Sequence, residues 1–124
     1  MHAHPPVYHR DIQTYNIMRR FDGQGWFLID WSDASTAPTR GVTHLKESEH
    51  SPWVRQHNHG PEVDIWGIAR YMKEWASCAT CRMMNSEGVK KIARRWMEDI
   101  STTATFALDE IGVSICHLTV RVVY

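Results

Sequence analysis

Residues 9–31 read HRDIQTYNIMRRFDGQGWFLIDW and carry the clearest local signal in the chain. Two apolar runs, Asn16-Ile17-Met18 and Trp26-Phe27-Leu28-Ile29, lie on either side of the polar segment Asp22-Gly23-Gln24-Gly25. An Asp-Gly pair followed by a second glycine supplies the positive φ angles that a tight turn needs. This stretch therefore predicts a β-hairpin, and the rest of the fold is built outward from it.

Three oxygen-bearing side chains flank the predicted hairpin. Asp11 and Asn16 lie five residues apart in the loop before its first strand, and Asp30 follows its second strand. Both loops lie at the same end of the hairpin, so we expect the three side chains to converge. Carboxylate and amide oxygens are the ligands that Mg²⁺ and a bound nucleotide require. The pattern predicts Asn16 and Asp30 as metal ligands and Asp11 as the base for an attacking hydroxyl.

Beyond the hairpin, the sequence predicts a long loop followed by helices. Residues 32–60 are rich in Ser, Thr, Pro and His and lack a sustained period, which favours a functional loop. Pro61 opens a helix with apolar residues on nearly all sides, so we expect it to be largely buried. A second helix after Ser86 has one apolar and one basic face, which predicts a surface helix. A third helix over residues 101–111 and a strand-like tail over residues 113–124 follow.

The overall prediction is a mainly α fold with a small β-hairpin, that is, an α+β protein. Its 14 Lys and Arg balance 14 Asp and Glu, which argues against nucleic acid as a partner. The sequence contains neither a run of about 20 apolar residues nor a signal-peptide core, so we expect no membrane association. An odd number of cysteines favours free thiols in an intracellular protein, cytoplasmic or nuclear. The three are Cys78, Cys81 and Cys116.

Several segments resemble the protein kinase family. His9-Arg10-Asp11-Ile12-Gln13-Thr14-Tyr15-Asn16 resembles the catalytic loop HRDLxxxN, and Asp30-Trp31-Ser32 resembles the Asp-Phe-Gly metal loop. Ser51-Pro52-Trp53 stands where the family has Ala-Pro-Glu, and Asp64-Ile65-Trp66-Gly67 is similar to the start of its large buried helix. Residues 1–8 look like the end of the family helix that precedes the catalytic loop. The residues of these segments are similar to those of kinase-like domains found in fungi.

The resemblance implies a protein-kinase-like large lobe over residues 1–112, with residues 113–124 as a separate tail. It implies transfer of a phosphoryl group from ATP, with Mg²⁺, to a hydroxyl group of a protein substrate. No glycine-rich phosphate loop, strand lysine or αC glutamate is found in the sequence. We therefore expect a truncated large lobe that lacks the ATP-binding small lobe and is inactive by itself.

The roles that the resemblance implies fall on seven residues. They are His9, Arg10 and Asp11 in the catalytic motif, Asn16 and Asp30 as ligands of ATP and Mg²⁺, and Asp64 and Trp66 as structural anchors. In the family the helix aspartate hydrogen-bonds the backbone of the catalytic loop, and this role is carried to Asp64. The loop arginine often receives a phosphate, which makes Thr36, Thr39, Thr43 and Ser48 switch candidates beside the simpler interpretation of a hydroxyl-rich loop.

Departures from the family leave alternatives open. Gln13 stands where Ser/Thr kinases usually carry a lysine, so the type of acceptor hydroxyl is undetermined. Ser32 replaces the glycine of the metal loop, and Trp53 replaces a glutamate. One alternative is a non-catalytic kinase-like interaction module. Another is a fragment of a small-molecule kinase of the aminoglycoside or choline type, which shares the aspartate and asparagine of the loop.

Overall fold

A computed structural model of the chain describes residues 5–77 and 86–99. Within them, two helices and two small antiparallel sheets give an α+β architecture, as predicted at that level. The elements are β1 (Val7–Tyr8), β2 (Ile17–Arg19), β3 (Trp26–Leu28), β4 (Ser35–Thr36), α1 (Glu62–Ala76) and α2 (Ser86–Glu98). The predicted third helix, the strand-like tail and all three cysteines lie outside the described residues.

The predicted hairpin is formed by β2 and β3, with Met18 opposite Phe27 in the ladder. Gly23 and Gly25 have positive φ angles of 72° and 104°. The N–H of Arg20 donates to the carbonyl of Gly25 at 3.0 Å and closes the loop. The two glycines thus supply the left-handed backbone that the turn requires, since other residues adopt it only at a cost.

A second sheet corrects the prediction for the segment before the catalytic-type loop. Val7 and Tyr8 do not end a helix: they form β1 and pair with Thr36 and Ser35 of β4. Each strand has only two residues, so neither shows the alternating pattern that marks a strand in sequence. The pairing fixes the start of the long loop against the segment that leads into His9.

Helix α1 begins after Pro61, as predicted, and its first half is the more buried. Its buried residues are Val63, Ile65, Trp66, Gly67 and Ala69. The expectation of burial on nearly all sides is wrong at Ile68, whose side chain is 38% exposed. The helix therefore has one face open to solvent, opposite its contact with α2 and the loops.

Helix α2 packs against α1 through small and large apolar residues. Ala69 and Ala93 are both fully buried, and Trp96 is 1% exposed in the same cluster. Burying an aliphatic side chain such as that of Ile65, which lies in this cluster, contributes about 1.5–3 kcal/mol. Lys91 and Arg94 are exposed on the other face, which confirms the predicted surface helix. In the described part of the chain, neither helix is long and apolar enough to cross a membrane.

The long loop of residues 32–60 is mostly irregular, as predicted, but it has a core of its own. A short 3₁₀ helix, Pro52–Arg55, begins at Ser51, whose hydroxyl accepts a hydrogen bond from Trp53 N–H at 3.3 Å. Val42, Leu45 and Val54 cluster with Val63 of α1. The second half of the loop is therefore packed onto the start of α1.

Candidate functional site

One carboxylate on the first turn of α1 holds the loop of residues 9–16. Asp64 accepts hydrogen bonds from the backbone N–H groups of His9 at 2.8 Å and Arg10 at 2.7 Å. Arg10 has a φ of 69°, so these bonds stabilise a left-handed backbone that a non-glycine residue rarely adopts. Burial raises the pKa of Asp64 above its usual value, while the two hydrogen bonds act in the opposite direction.

Helix α1 touches the same loop again at Gly67. A Cβ on Gly67 would lie 2.8 Å from the carbonyl oxygen of Ile12 and 2.9 Å from its Cβ. Only glycine allows the helix to approach the loop so closely. Trp66, the second anchor implied by the resemblance, is buried beside it, with the guanidinium carbon of Arg70 6.0 Å from its ring centre.

Asp11 and Asn16 meet inside this loop. The amide nitrogen of Asn16 donates to Asp11 Oδ2 at 2.9 Å and to the backbone carbonyl of Asp11 at 3.0 Å. Asn16 is 3% exposed and ends the short 3₁₀ helix Thr14–Asn16. Both contacts use its amide nitrogen, so neither of them occupies the Oδ1 atom of Asn16.

Asp30 lies at the exposed end of the hairpin. Its φ is 60°, and its Oδ1 accepts a hydrogen bond from the Ser32 hydroxyl at 2.7 Å. That hydrogen bond is the main reason why the pKa of Asp30 is lowered. The preceding residue, Ile29, donates its N–H to the carbonyl of Asn16 at 2.9 Å. An ionised, exposed carboxylate therefore follows directly after the residue that is bonded to Asn16.

His9 connects the loop that carries Asp11 to the end of the hairpin that carries Asp30. Its Nδ1 accepts a hydrogen bond from Asp11 N–H at 3.3 Å, and its Nε2 donates to the carbonyl of Ile29 at 3.0 Å. The ring also packs edge-on against Trp31, with centroids 4.6 Å apart. With only 1% of its surface exposed, His9 is placed to position the loop and not to touch a substrate.

Arg10 points away from Asp11, into the long loop. Its Nε donates to the carbonyl of Asp33 and its Nη1 to the carbonyl of Arg40 at 3.1 Å. Among the switch candidates, Thr39 is 2% exposed and donates its hydroxyl to the carbonyl of His59 at 2.6 Å. Thr39 is therefore closed to a modifying enzyme. The other three candidates are exposed.

Two residues that contact Asp11 were not predicted as site residues from the sequence. His50 is 7% exposed, and its Nε2 lies 2.8 Å from Asp11 Oδ1. The amide nitrogen of Gln13 donates to the same oxygen at 2.6 Å. The position of Gln13, two residues after Asp11, was a usable signal. His50 gave none, because it is 39 residues away in a loop rich in polar residues.

A cavity of about 250 Å³ opens between this loop and α1. Its lining includes Gln13, Tyr15, Arg70 and Glu74. Burial, followed by the charge of Asp11, raises the pKa of Tyr15. The cavity lies beside the loop, and its lining does not include Asp11, Asn16 or Asp30.

Asn16 and Asp30 carry oxygen atoms of the kind that a hard divalent cation prefers. Asn16 Oδ1 and the Asp30 carboxylate are two such donors, and Mg²⁺ usually takes one or two protein ligands together with waters and phosphates. Within residues 5–77 and 86–99, no three His, Cys, Asp or Glu side chains form a group that could hold a metal. A metal ion here would therefore depend on phosphate oxygens and water for the rest of its shell.

Part of the sequence is similar to that of a curated protein. Over 69 residues the chain is 33% identical to Crinkler effector protein 8 of Phytophthora infestans. The match covers 52% of this chain and 12% of that protein, so the chain spans a small part of its relative's length. No protein-family profile matches the sequence, and no solved structure matches it.

Proposed function

We propose that the chain carries the transfer site of a protein-kinase-like phosphotransferase, as part of the large lobe. One observation carries the proposal: Asp11 and Asn16 are hydrogen-bonded to each other in a loop whose backbone is held by Asp64. The order of the kinase-like segments in the sequence supports it. So does the position of Asp30 next to the residue that is bonded to Asn16.

In this function each side chain has a separate role in an in-line displacement at phosphorus. Asp11 orients the acceptor hydroxyl of a protein and takes its proton. The hydroxyl oxygen bonds to the γ-phosphorus, and ADP leaves with the electron pair of the broken bond. Asn16 Oδ1 and the Asp30 carboxylate would hold Mg²⁺, which supplies positive charge against the phosphates when bound with ATP. Asp64 keeps the loop in place through the reaction.

The partial relative is named as an effector protein, and we extend this role to the present chain as part of the proposal. Because the match covers only 12% of that protein, the activity of a whole protein of this kind is itself proposed. The cellular site of action, cytoplasmic or nuclear, stays a prediction from the cysteine content.

The test is transfer of labelled phosphate from Mg-ATP to a mixed protein acceptor by the full-length protein. We expect Asp11→Ala to lower the rate by about 10²–10⁴-fold, since that is the usual contribution of a positioned base. Asp30→Ala should also lower the rate and raise the Mg²⁺ concentration needed for half-maximal transfer. Asp22→Asn, an exposed aspartate at the hairpin turn, is the matched control. Wild-type activity equal to that of Asp11→Ala and Asp30→Ala would refute the proposal.

A second candidate is a non-catalytic interaction module, favoured by the exposed apolar surface of the hairpin. Phe21, Phe27 and Trp31 are 109%, 47% and 48% exposed. Where exposed apolar side chains form one contiguous patch, the patch often marks a protein-binding site. Full-length protein that neither binds Mg-ATP in calorimetry nor transfers phosphate would favour this candidate over the first.

A further inference from the structure

We propose that His50 is a positioning residue that holds one oxygen of Asp11, so that the other oxygen alone receives the acceptor hydroxyl. The proposal rests on the proposed function, because the hydroxyl is the acceptor of that reaction. His50 is buried, lies in the long loop and contacts Asp11 directly, at 2.8 Å between Nε2 and Oδ1.

The orientation of the His50 ring follows from its other nitrogen. Nδ1 lies 2.8 Å from the backbone carbonyl of Lys46. A carbonyl oxygen only accepts hydrogen bonds, so Nδ1 carries a hydrogen and donates it. The ring is thereby fixed with Nε2 towards Asp11. The segment of residues 46–50 thus sets the direction from which His50 approaches the carboxylate.

The distances around Asp11 Oδ1 indicate where the next hydrogen lies. The amide nitrogen of Gln13 is 2.6 Å from Oδ1 and 2.7 Å from His50 Nε2, which is itself 2.8 Å from Oδ1. In this nearly equilateral triangle the two neighbours of the amide nitrogen are roughly 60° apart, whereas its two N–H bonds diverge by about 120°. The amide of Gln13 cannot align its N–H bonds with both Asp11 Oδ1 and His50 Nε2. A hydrogen on His50 Nε2, donated to Asp11 Oδ1, makes the 2.8 Å contact between these two atoms favourable.

The lone pairs of Asp11 are then unequally used. A carboxylate oxygen has two acceptor positions, and both on Oδ1 are filled, by Gln13 and by His50. Among residues 5–77 and 86–99, Oδ2 receives only the amide of Asn16, so within that part of the chain one of its positions is open. The acceptor hydroxyl therefore donates its proton to Oδ2, on the same side as Asn16. His50 acts through Asp11 and does not touch the substrate.

The kinetic test compares His50→Gln with His50→Leu in the full-length protein. Glutamine keeps a donor near the position of Nε2, whereas leucine removes it at similar volume. We expect His50→Leu to lower kcat about 10²-fold with KM for ATP changed by less than about twofold, the size of effect that misplacing a reacting group causes. His50→Gln should restore kcat to within about fivefold of wild type. His44→Gln is the control, because His44 also contacts an aspartate but is 67% exposed.

Equal loss of kcat in His50→Gln and His50→Leu, with both variants folded by thermal melting, would overturn the proposal. So would wild-type kcat in His50→Leu. A second measurement does not depend on activity: long-range ¹H–¹⁵N NMR of the histidine rings. We expect a hydrogen on both Nδ1 and Nε2 of His50, and an Nε2 shift that moves in Asp11→Asn but not in Asp22→Asn. A His50 ring that carries a hydrogen on only one of its two nitrogens would overturn the proposal.

The two measurements separate the inference from the function on which it rests. Inactive wild-type protein that shows the expected His50 signals would refute the phosphotransferase and leave the Asp11–His50 contact standing. Active wild-type protein whose kcat does not respond to His50→Leu would refute the role of His50 alone.

Discussion

The loop of residues 9–16 and the hairpin that follows it are neighbours in sequence, but they are held in different ways. Half of the loop is buried, namely His9, Ile12, Gln13 and Asn16, and the loop is bonded to distant residues, among them Asp64 on α1 and His50 in the long loop. The hairpin is held mainly by its own ladder, and its largest side chains face solvent. The loop with Asp11 is thus fixed by contacts to distant parts of the chain, whereas the Asp30 side chain itself is held locally, by Ser32.

Among the substitutions that test this comparison, Asp64→Asn should have the largest effect, because it removes one of the long-range contacts that hold the loop. Asparagine has one acceptor oxygen, and its amide group would face a backbone N–H that also donates. One of the N–H groups of His9 and Arg10 would then be left buried without a partner. We expect the free energy of unfolding in urea to fall by about 1–3 kcal/mol. Asp22→Asn is the control, and a loss below about 0.5 kcal/mol would show that other contacts hold the loop.

The pH dependence of this contact has a definite sign. Since burial raises the pKa of Asp64 in the folded state, the folded protein binds its proton more tightly than the unfolded chain does. The stability that the group contributes is therefore greatest below its ordinary pKa of 3.8 and falls as pH rises through the raised value. We expect the difference in unfolding free energy between wild type and Asp64→Asn to shrink over that range. A difference that grows with pH would show that the two hydrogen bonds outweigh burial.

Gly67→Ala should push the loop and α1 apart, with a smaller effect. The new Cβ would overlap the backbone of Ile12, and such overpacking costs about 1–3 kcal/mol. Alanine recovers about 1 kcal/mol of helix propensity. We expect a net loss of about 1 kcal/mol in thermal or urea unfolding. A variant more stable than wild type would mean that the loop tolerates a shift away from α1.

Phe21→Ser tests whether the hairpin is independent of long-range packing. Phe21 lies at the hairpin tip and is fully exposed, so its removal should change the free energy of unfolding by less than about 0.5 kcal/mol. The same change should reduce self-association, measured by light scattering at rising protein concentration, because it removes exposed apolar surface. A stability loss above about 1 kcal/mol would show that the tip is packed in solution.

Ser32→Ala is expected to have the smallest effect. It removes the hydroxyl that donates to Asp30, so the pKa of Asp30 should rise towards its ordinary value. Carboxyl ¹³C shifts recorded during an NMR titration measure this directly, with Asp22 as an internal reference. Stability should be unchanged, since the contact is exposed. An Asp30 pKa that does not move would assign the lowering to a group other than the Ser32 hydroxyl, such as the Ser32 backbone N–H.

The sequence predicted those parts of the molecule that depend on local chemistry. Gly23 and Gly25 predict the hairpin turn because few other residues adopt positive φ angles. Pro61 and the apolar period after it predict α1, and the two-faced pattern predicts α2. The position of both loops at one end of the hairpin predicts that Asp11, Asn16 and Asp30 converge. Asp11 and Asn16 are hydrogen-bonded to each other, whereas Asp30 is bonded to Ser32.

The remaining features depend on contacts between distant residues. The pairing of β1 with β4 involves two residues per strand and follows from how the long loop returns. His50 reaches Asp11 because Val42, Leu45 and Val54 pack that loop on α1. The exposure of Ile68 depends on which faces of α1 meet α2 and the loops. No local pattern contains this information.

The tether of Arg10 bears on how freely the long loop can change in sequence. Its guanidinium binds the backbone carbonyls of Asp33 and Arg40, and every amino acid supplies such a carbonyl. Substitutions at the exposed positions between them would leave both acceptors in place. The segment could therefore vary widely among variants, or accept a library of sequences, while its ends stay attached to the loop that carries Asp11.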